Sequence, residues 1–199
     1  MLKANSNDFF WSRLVDVVSS WGYDRNGIVF VSMPEQTLKE IAKIVVGNGL
    51  QIGGFVGISH CYLANSLKNS GTLCTIEANF KWHYIENPFL VANKLVRHFN
   101  LSSNSMLVCG YAIEQMNIFI SQKAKFDFIL LDGNHMYNDM VIEIDLSDKL
   151  LKPGGYLILD DIDFWQGPKS LYENFPLNYE KIPLDSRAGV LRKPNYIKI

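Results

Sequence analysis

Apolar positions along the chain follow two alternating rhythms. Short runs, such as those over Phe126 to Leu131 and Tyr156 to Leu159, read as buried strands. Between them, apolar residues recur at every third or fourth position, the spacing of a helix face. Phe10, Leu14, Val17, Val18 and Trp21 predict an amphipathic helix from about Asp8 to Trp21, ended by Gly22. Ser32 and Glu35 have capping-box spacing, with Pro34 in the first turn, so a helix burying Leu38, Ile41, Ala42 and Val45 should follow. Leu50 to Phe55 reads as a strand running into a glycine-rich turn, after which Ser59 caps a helix reaching Leu67. Thr72 to Glu77 and Met106 to Cys109 read as strands. Ala92, Leu95, Val96 and Phe99 mark one helix, and Tyr111 to Ile120 another. Met140, Ile144 and Leu151 share a helical face, and the KPGG stretch from Lys152 to Gly155 should stop that helix and turn the chain. Beyond Gly167 a short helix precedes two strand-like pieces, Tyr179 to Leu184 and Gly189 to Leu191.

Strands separated by helices imply βαβ units. The expected fold is therefore α/β and doubly wound: a mostly parallel seven-stranded sheet with helices on both faces. The last two strands lack a helix between them and should add an antiparallel C-terminal hairpin.

Composition narrows the class. The chain has 199 residues, 48% of them apolar, enough for one domain with a sizeable core. Nineteen basic against twenty acidic side chains predict neither a nucleic-acid nor a membrane surface. No run is long and apolar enough to span a bilayer. The N-terminus lacks the apolar region of a signal peptide, and Cys61, Cys74 and Cys109 read as buried reduced thiols. A cytoplasmic protein is the expectation. No cysteine and histidine spacing suits zinc.

The chemistry sits at strand ends. One apolar run ends at Asp132, with His135 three residues on; another ends at Asp160 and Asp161. A charge there is costly unless it is paired, hydrogen-bonded or bound to metal. The carboxyl ends of strands are also where open α/β sheets bind ligands. Three carboxylates are hard donors suited to Mg²⁺, Mn²⁺ or Ca²⁺. His135, with an unperturbed pKa near ~6.5, suits a general base. The turn at Gly53, Gly54 and Gly57, followed by Ser59, fails the dinucleotide fingerprint because Phe55 stands at its second glycine. It still allows close ligand approach at a helix start. Glu77 ends the next strand, where a carboxylate can accept both hydroxyls of a ribose. His60 reads as structural or acceptor-lining, Trp165 as an acceptor wall or core, and Asp163 as a substitute ligand. Asp139, Asp145 and Asp148 read as a solvated helix face. His83 and His98 lack a motif.

On these residues the chain resembles the class I S-adenosylmethionine-dependent methyltransferases, with their Rossmann-like fold. Within that group it is similar to the metal-dependent O-methyltransferases of the catechol and of the small sugar and macrolide types. The resemblance runs from about Pro34 to Leu191. It implies S-adenosylmethionine held by the glycine turn, Glu77, Gly110, Tyr111 and Asp132. It also implies a Mg²⁺-like ion on Asp132, Asp160 and Asp161, and His135 where the macrolide type has histidine. The acceptor would be a small-molecule diol, sugar or catechol-like hydroxyl. Two positions depart from the family pattern: Gln51 replaces the first motif's acid, and Gly110-Tyr111-Ala112 stands where Gly-Asp-Ser is frequent. The resemblance implies one methyltransferase domain over 1–199, with 1–33 as a helical extension and 34–199 as the core. Small relatives complete the acceptor site with the N-terminal helix or a neighbouring subunit, so Trp11, Trp21 and Tyr23 are candidates for that wall or for a homo-oligomer contact. A metal-independent methyltransferase and a degenerate cofactor-binding scaffold are the competing readings.

Overall fold

A computed structural model describes residues 10–82, 84–182 and 184–195. The elements run α1 (Phe10–Ser20), α2 (Arg25–Val31), α3 (Glu35–Ile44), β1 (Gly49–Ile52), α4 (Ile58–Ser66), β2 (Leu73–Glu77), α5 (Pro88–His98) and β3 (Ser105–Cys109). They continue through α6 (Ala112–Ser121), β4 (Phe126–Leu131), α7 (Tyr137–Leu150), β5 (Leu151–Leu159), α8 (Gln166–Glu173), β6 (Glu180–Ile182) and β7 (Gly189–Arg192). The sheet has seven strands in the order β3-β2-β1-β4-β5-β7-β6. The first five are parallel; β7 runs antiparallel to both β5 and β6. The order reverses between β1 and β4, and this switch point opens a crevice at the strands' carboxyl ends.

The sheet is covered on both faces, which explains the unbroken apolar runs. Phe128 and Leu130 of β4 and Ile158 of β5 join Leu14, Leu38, Leu63 and Leu95 from α1, α3, α4 and α5. Ile129, Leu131, Leu157 and Leu159 point the other way, against Met116, Met140, Ile144 and Leu171 from α6, α7 and α8. Period-two alternation in β4 and β5 thus distributes one strand's side chains between two cores.

Several local expectations are corrected. The Ser32–Glu35 capping box does not form. Ser32 ends α2, its N–H bonding Ile28 O, and Pro34 stands at the N-cap of α3 without a side-chain bond. The sequence reading passed over α2, which buries only Ile28 and so carries no stripe; it is started instead by Asp24, whose carboxylate accepts from the Asn26 and Gly27 amides. Gly57, not Ser59, is the N-cap of α4, at φ 88°. KPGG does not separate α7 from β5. Phe126 pairs with Leu151 and Phe128 with Tyr156, so KPGG lies in a bulge inside the strand. Ala42 is only half-buried, and Cys109 is exposed, whereas Cys61 and Cys74 are buried. Among the described residues no helix is long and apolar enough to cross a membrane.

His60 of α4 ties the sheet from one face. Its ring nitrogens meet the Thr75 hydroxyl at 2.7 Å and the Ser105 hydroxyl, joining β2 to β3. Burial disfavours its charged form and lowers its pKa from 6.5 to about 3. The unfolded chain therefore binds this proton first, and stability falls as pH drops below the unfolded value. Between pH 6.5 and 5 the loss attributable to His60 should be about 2 kcal/mol. Urea unfolding across this range should show a shallower pH dependence in His60→Gln. An equal slope in both proteins would mean that His60 is not held neutral.

Candidate active site

A cavity of about 860 Å³ opens at the carboxyl ends of β1, β2, β4 and β5. Its floor is the turn after β1. Gly53, at φ 83°, packs so close to the chain after β4 that an added Cβ would lie 2.1 Å from Asp132 O. Gly57, at φ 88°, lets α4 approach Ala92 of α5. The glycines are thus set by backbone packing as much as by room for a ligand.

Glu77 locks this turn. Its Oε2 accepts from the Gly54 and Phe55 amides at 2.9 and 2.6 Å, and its Oε1 from the Asn79 amide at 2.8 Å. Oε2 is used by two amides, whereas Oε1 accepts one bond and keeps spare lone-pair capacity; Glu77 lines the cavity. Gln51 faces the opposite way. It is fully buried, donates to Gly53 O and to Ser59 Oγ, both at 2.7 Å, and does not line the cavity. Gln51 therefore braces the turn from behind, partly through Ser59, which itself lines the cavity. Gly110 and Tyr111 line the cavity at the end of β3, where the half-exposed Tyr111 ring tilts against Phe80 at 5.6 Å.

Asp132, Asp160 and Asp161 do converge, but a residue the sequence reading missed stands among them. Arg187, in the loop before β7, binds both oxygens of Asp160, with Nη2 at 2.8 Å from Oδ2 and Nε at 3.0 Å from Oδ1. The same Nη2 reaches Asp161 Oδ1 at 2.8 Å. Asp160 is fully buried behind this guanidinium. Asp132, His135 and Asp161 remain, each offering one ligand atom, all within 4.8 Å of one another. His135 Nε2 lies 3.2 Å from Asp161 Oδ2, yet is buried without a hydrogen-bond partner. The Trp165 ring stacks on the imidazole, with centroids 5.7 Å apart and planes 13° from parallel.

The electrostatics follow from one cation facing three carboxylates. Burial, the Asp160 charge, a carboxyl–carboxyl hydrogen bond to Asp160 and the Asp161 charge push the Asp132 pKa well above the carboxylate range, against the pull of Arg187. Burial likewise raises Asp160, although the Arg187 bonds oppose it. Burial works against the Arg187 charge, but the bond to Asp160 and the three surrounding carboxylates outweigh it and raise its pKa. A proton on Asp132 would balance charge that one guanidinium leaves uncompensated.

Other residues take places the sequence did not suggest. Phe30 to Met33, at the end of α2 and just after it, wall the cavity, whereas Trp11, Trp21 and Tyr23 pack on the core. Phe164, Trp165 and the exposed Asp163 line its mouth after β5. Asp139 is half-buried in the cavity wall and accepts a bond from Asn134; Asp145 is exposed and pairs with Lys149; Asp148 accepts from the Tyr179 hydroxyl and pairs with Lys193. Glu143 of α7 also lines the cavity and is 3% exposed, with no partner for Oε2. Burial, with the Asp139 charge adding to it, lifts its pKa to about 7. His60 lies outside the cavity lining and His98 packs edge-on to Trp21; His83 lies outside the described residues.

Residues 50–162 match the family model described as a methyltransferase domain. The chain belongs to this methyltransferase family. A search of curated proteins finds no match. Solved structures match over almost the full length. An O-methyltransferase from Bacillus cereus in complex with SAH has a TM-score of 0.69 at 18% identity, covering 97% of this chain and 94% of that one. The O-methyltransferase TomG from Streptomyces achromogenes, in complex with SAM, gives 0.61 at 16%, covering 96% and 92%. A methyltransferase from Geobacter sulfurreducens gives 0.62 at 11%, covering 96% and 93%. At these identities the likeness is one of fold, and it fits the seven-stranded, mostly parallel methyltransferase sheet.

The Arg187–Asp160 pair makes a stability prediction for this methyltransferase. Arg187→Met leaves Asp160 buried and unpaired, which should cost about 3–5 kcal/mol. Replacing both partners, with Asp160→Asn added, should recover much of that loss. Chemical denaturation of the single and double variants measures it. A single variant as stable as the parent would show that the pair contributes nothing.

Proposed function

We propose that the chain is an S-adenosylmethionine-dependent O-methyltransferase acting on a small-molecule hydroxyl, with a divalent cation held by Asp132, Asp161 and His135. The observation that carries this reading is the donor trio, one member of which, His135 Nε2, is buried and unpartnered. Two carboxylates and an imidazole suit Mn²⁺ or another transition ion better than Mg²⁺ or Ca²⁺, both of which favour an all-oxygen shell. The set differs from the expected Asp132, Asp160 and Asp161, because Arg187 holds both oxygens of Asp160. The whole of 1–199 acts as one domain in this reading, with residues 30–33 of the extension walling the cavity.

The cavity also suits the methyl donor, whose sulfonium and ammonium are cationic. Six acidic side chains line it (Glu77, Asp132, Asp139, Glu143, Asp161 and Asp163), against a single arginine among the described lining residues. Its volume lies in the range of small-molecule sites. The bound SAH and SAM of the Bacillus cereus and Streptomyces achromogenes enzymes support the same cofactor here. Glu77, through the spare capacity of Oε1, takes a ribose hydroxyl rather than both. Phe30, Phe80, Phe164 and Trp165 give the cavity an exposed aromatic rim, which favours an acceptor with a ring or other flat apolar face.

A cation held by Asp132, Asp161 and His135 would supply a lowered pKa for the acceptor hydroxyl and a fixed position for it opposite the methyl carbon. The chain's own residues prepare the site. Trp165 fixes the plane of His135, and Arg187 keeps Asp160 engaged so that Asp161 alone of the pair faces the cavity. Arg187 also supports a second, metal-free reading. Its fixed positive charge would then serve the carboxylates, and Asp161 would orient His135 as general base on the hydroxyl.

Titration with S-adenosylmethionine should give binding, weakened by about 1.5–3 kcal/mol in Glu77→Ala. An unchanged titration curve would remove Glu77 from the site. Methyl transfer should stop in EDTA and return with Mg²⁺ or Mn²⁺, and His135→Ala should then lose Mn²⁺ affinity. Full activity in the chelator would sink the metal reading. In that case His135→Ala should lower kcat by roughly 10²–10⁴ without affecting cofactor affinity.

A further inference from the structure

We propose that the acceptor carries a protonated amine, received at the mouth of the cavity by Asp163 and the ring faces of Phe164 and Trp165. The inference rests on the O-methyltransferase reading above and names the charge of its acceptor.

The charge available on the walls decides the sign. Arg187 is the single arginine or lysine among the described lining residues, and its guanidinium is spent on both oxygens of Asp160 and on Asp161. An acceptor bearing a carboxylate or phosphate would lose water there and find no free cationic side chain to replace it. Acids are in surplus, but several are already engaged. Glu77 accepts from three amides, Asp161 is paired with Arg187, and Asp139 accepts from Asn134. Asp163 is different. It is exposed, it lines the cavity, and its carboxylate makes no hydrogen bond or ion pair among the described residues.

The chain holds this carboxylate in place without using it. Residues 162–165 wrap over Asp161: the Ile162 N–H bonds Arg187 O at 2.9 Å, and the Phe164 and Trp165 N–H groups bond Asp161 O at 3.2 and 3.0 Å. The same turn carries aromatic rings next to the acid. Phe164 is 71% exposed and Trp165 48%, edge to face with centroids 5.3 Å apart. Large rings left in water near an unpaired carboxylate suit an organic ammonium, which ring faces and charge attract together. Sheet order assigns this group to the acceptor rather than to the donor. Glu77 ends β2, and Asp163 follows β5 with β1 and β4 between, three strand spacings or ~14 Å away. Asp163 stands instead two residues past Asp161, on the side of the donor trio where the acceptor hydroxyl would sit.

The test is a titration of the protein, saturated with S-adenosylhomocysteine and Mn²⁺, with three catechols that differ only in the tail at ring position 4: 2-aminoethyl, ethyl or 2-carboxyethyl. Affinity should fall in that order, with the amine ahead of the ethyl compound by roughly five- to thirtyfold, the scale of an exposed ion pair plus a cation–ring contact. Added salt should narrow this gap. Asp163→Asn should cut the preference several-fold, and Asp163→Lys should place the carboxylate tail first. Phe164→Leu, which keeps apolar surface but removes the ring, should also bring the amine and ethyl tails closer. Asp139→Asn is the control: a loss of preference as large as in Asp163→Asn would assign it to the general acidity of the cavity and overturn the role of Asp163. Equal affinity for the amine and ethyl compounds, a lead for the carboxylate in the parent, or an unchanged preference in both Asp163 variants overturns it as well. A parent that binds S-adenosylhomocysteine but none of the three catechols also sinks the proposal. A parent that binds no S-adenosylhomocysteine fails earlier, at the cofactor reading on which the proposal rests.

Discussion

Charge burial at the end of β4 and β5 governs this molecule's active end. The parallel sheet brings Asp132, Asp160 and Asp161 to one place because β4 and β5 pair in register and end together. Three carboxylates this close cannot all stay ionised without cations. Arg187 supplies one from the loop before β7, so the antiparallel edge of the sheet is tied to the chemistry at its centre. The antiparallel pairing of Leu159 with Gly189 brings residue 187 to the cluster. The remaining imbalance is what a divalent cation, or a proton on Asp132, would relieve.

The fold was legible because both kinds of period were clean. β4 reads from Phe126 to Leu131 in sequence and in structure alike, since a strand buried on both faces leaves an unbroken apolar run bounded by charge. What failed was local chemistry with more than one use. Ser32 and Glu35 have the right spacing for a capping box, but tertiary placement of α2 makes Ser32 a helix end instead. KPGG carries a strong turn signal, yet one bulged strand absorbs it. α2 was invisible because a helix burying a single residue has no stripe to detect.

The candidate site was legible in its acids and not in their partners. Asp132, Asp160 and Asp161 announce themselves at strand ends; Arg187 does not, because an arginine in a loop is ordinarily a solvated residue. Only the sheet topology brings positions 160 and 187 together. Glu143 was hidden for a related reason: on a helix rich in aspartates it looks like one more solvated acid, and its burial depends on α6 packing against α7. Asp139 was misread in the same way.

Gln51 stands where the resemblance places a charge, and the structure gives it a different task. In the family pattern this position carries an acid, and the resemblance assigns it to the donor's ammonium. Here the side chain turns away from the cavity and becomes part of a buried network with Gly53, Ser59 and Thr75 that extends to His60 and Ser105. An ionised acid would fit that network poorly, because it cannot donate to Gly53 O, which would lose this bond. The amide does both jobs at once, accepting at Oε1 and donating twice at Nε2. In the proposed reading, attraction for the cationic donor would come from the cavity walls, which hold a surplus of acids. The turn is thus held by neutral bonds from behind and by Glu77 in front. Glu77 serves both the turn and the acidic lining, and the rest of that lining comes from Asp132, Asp139, Glu143, Asp161 and Asp163.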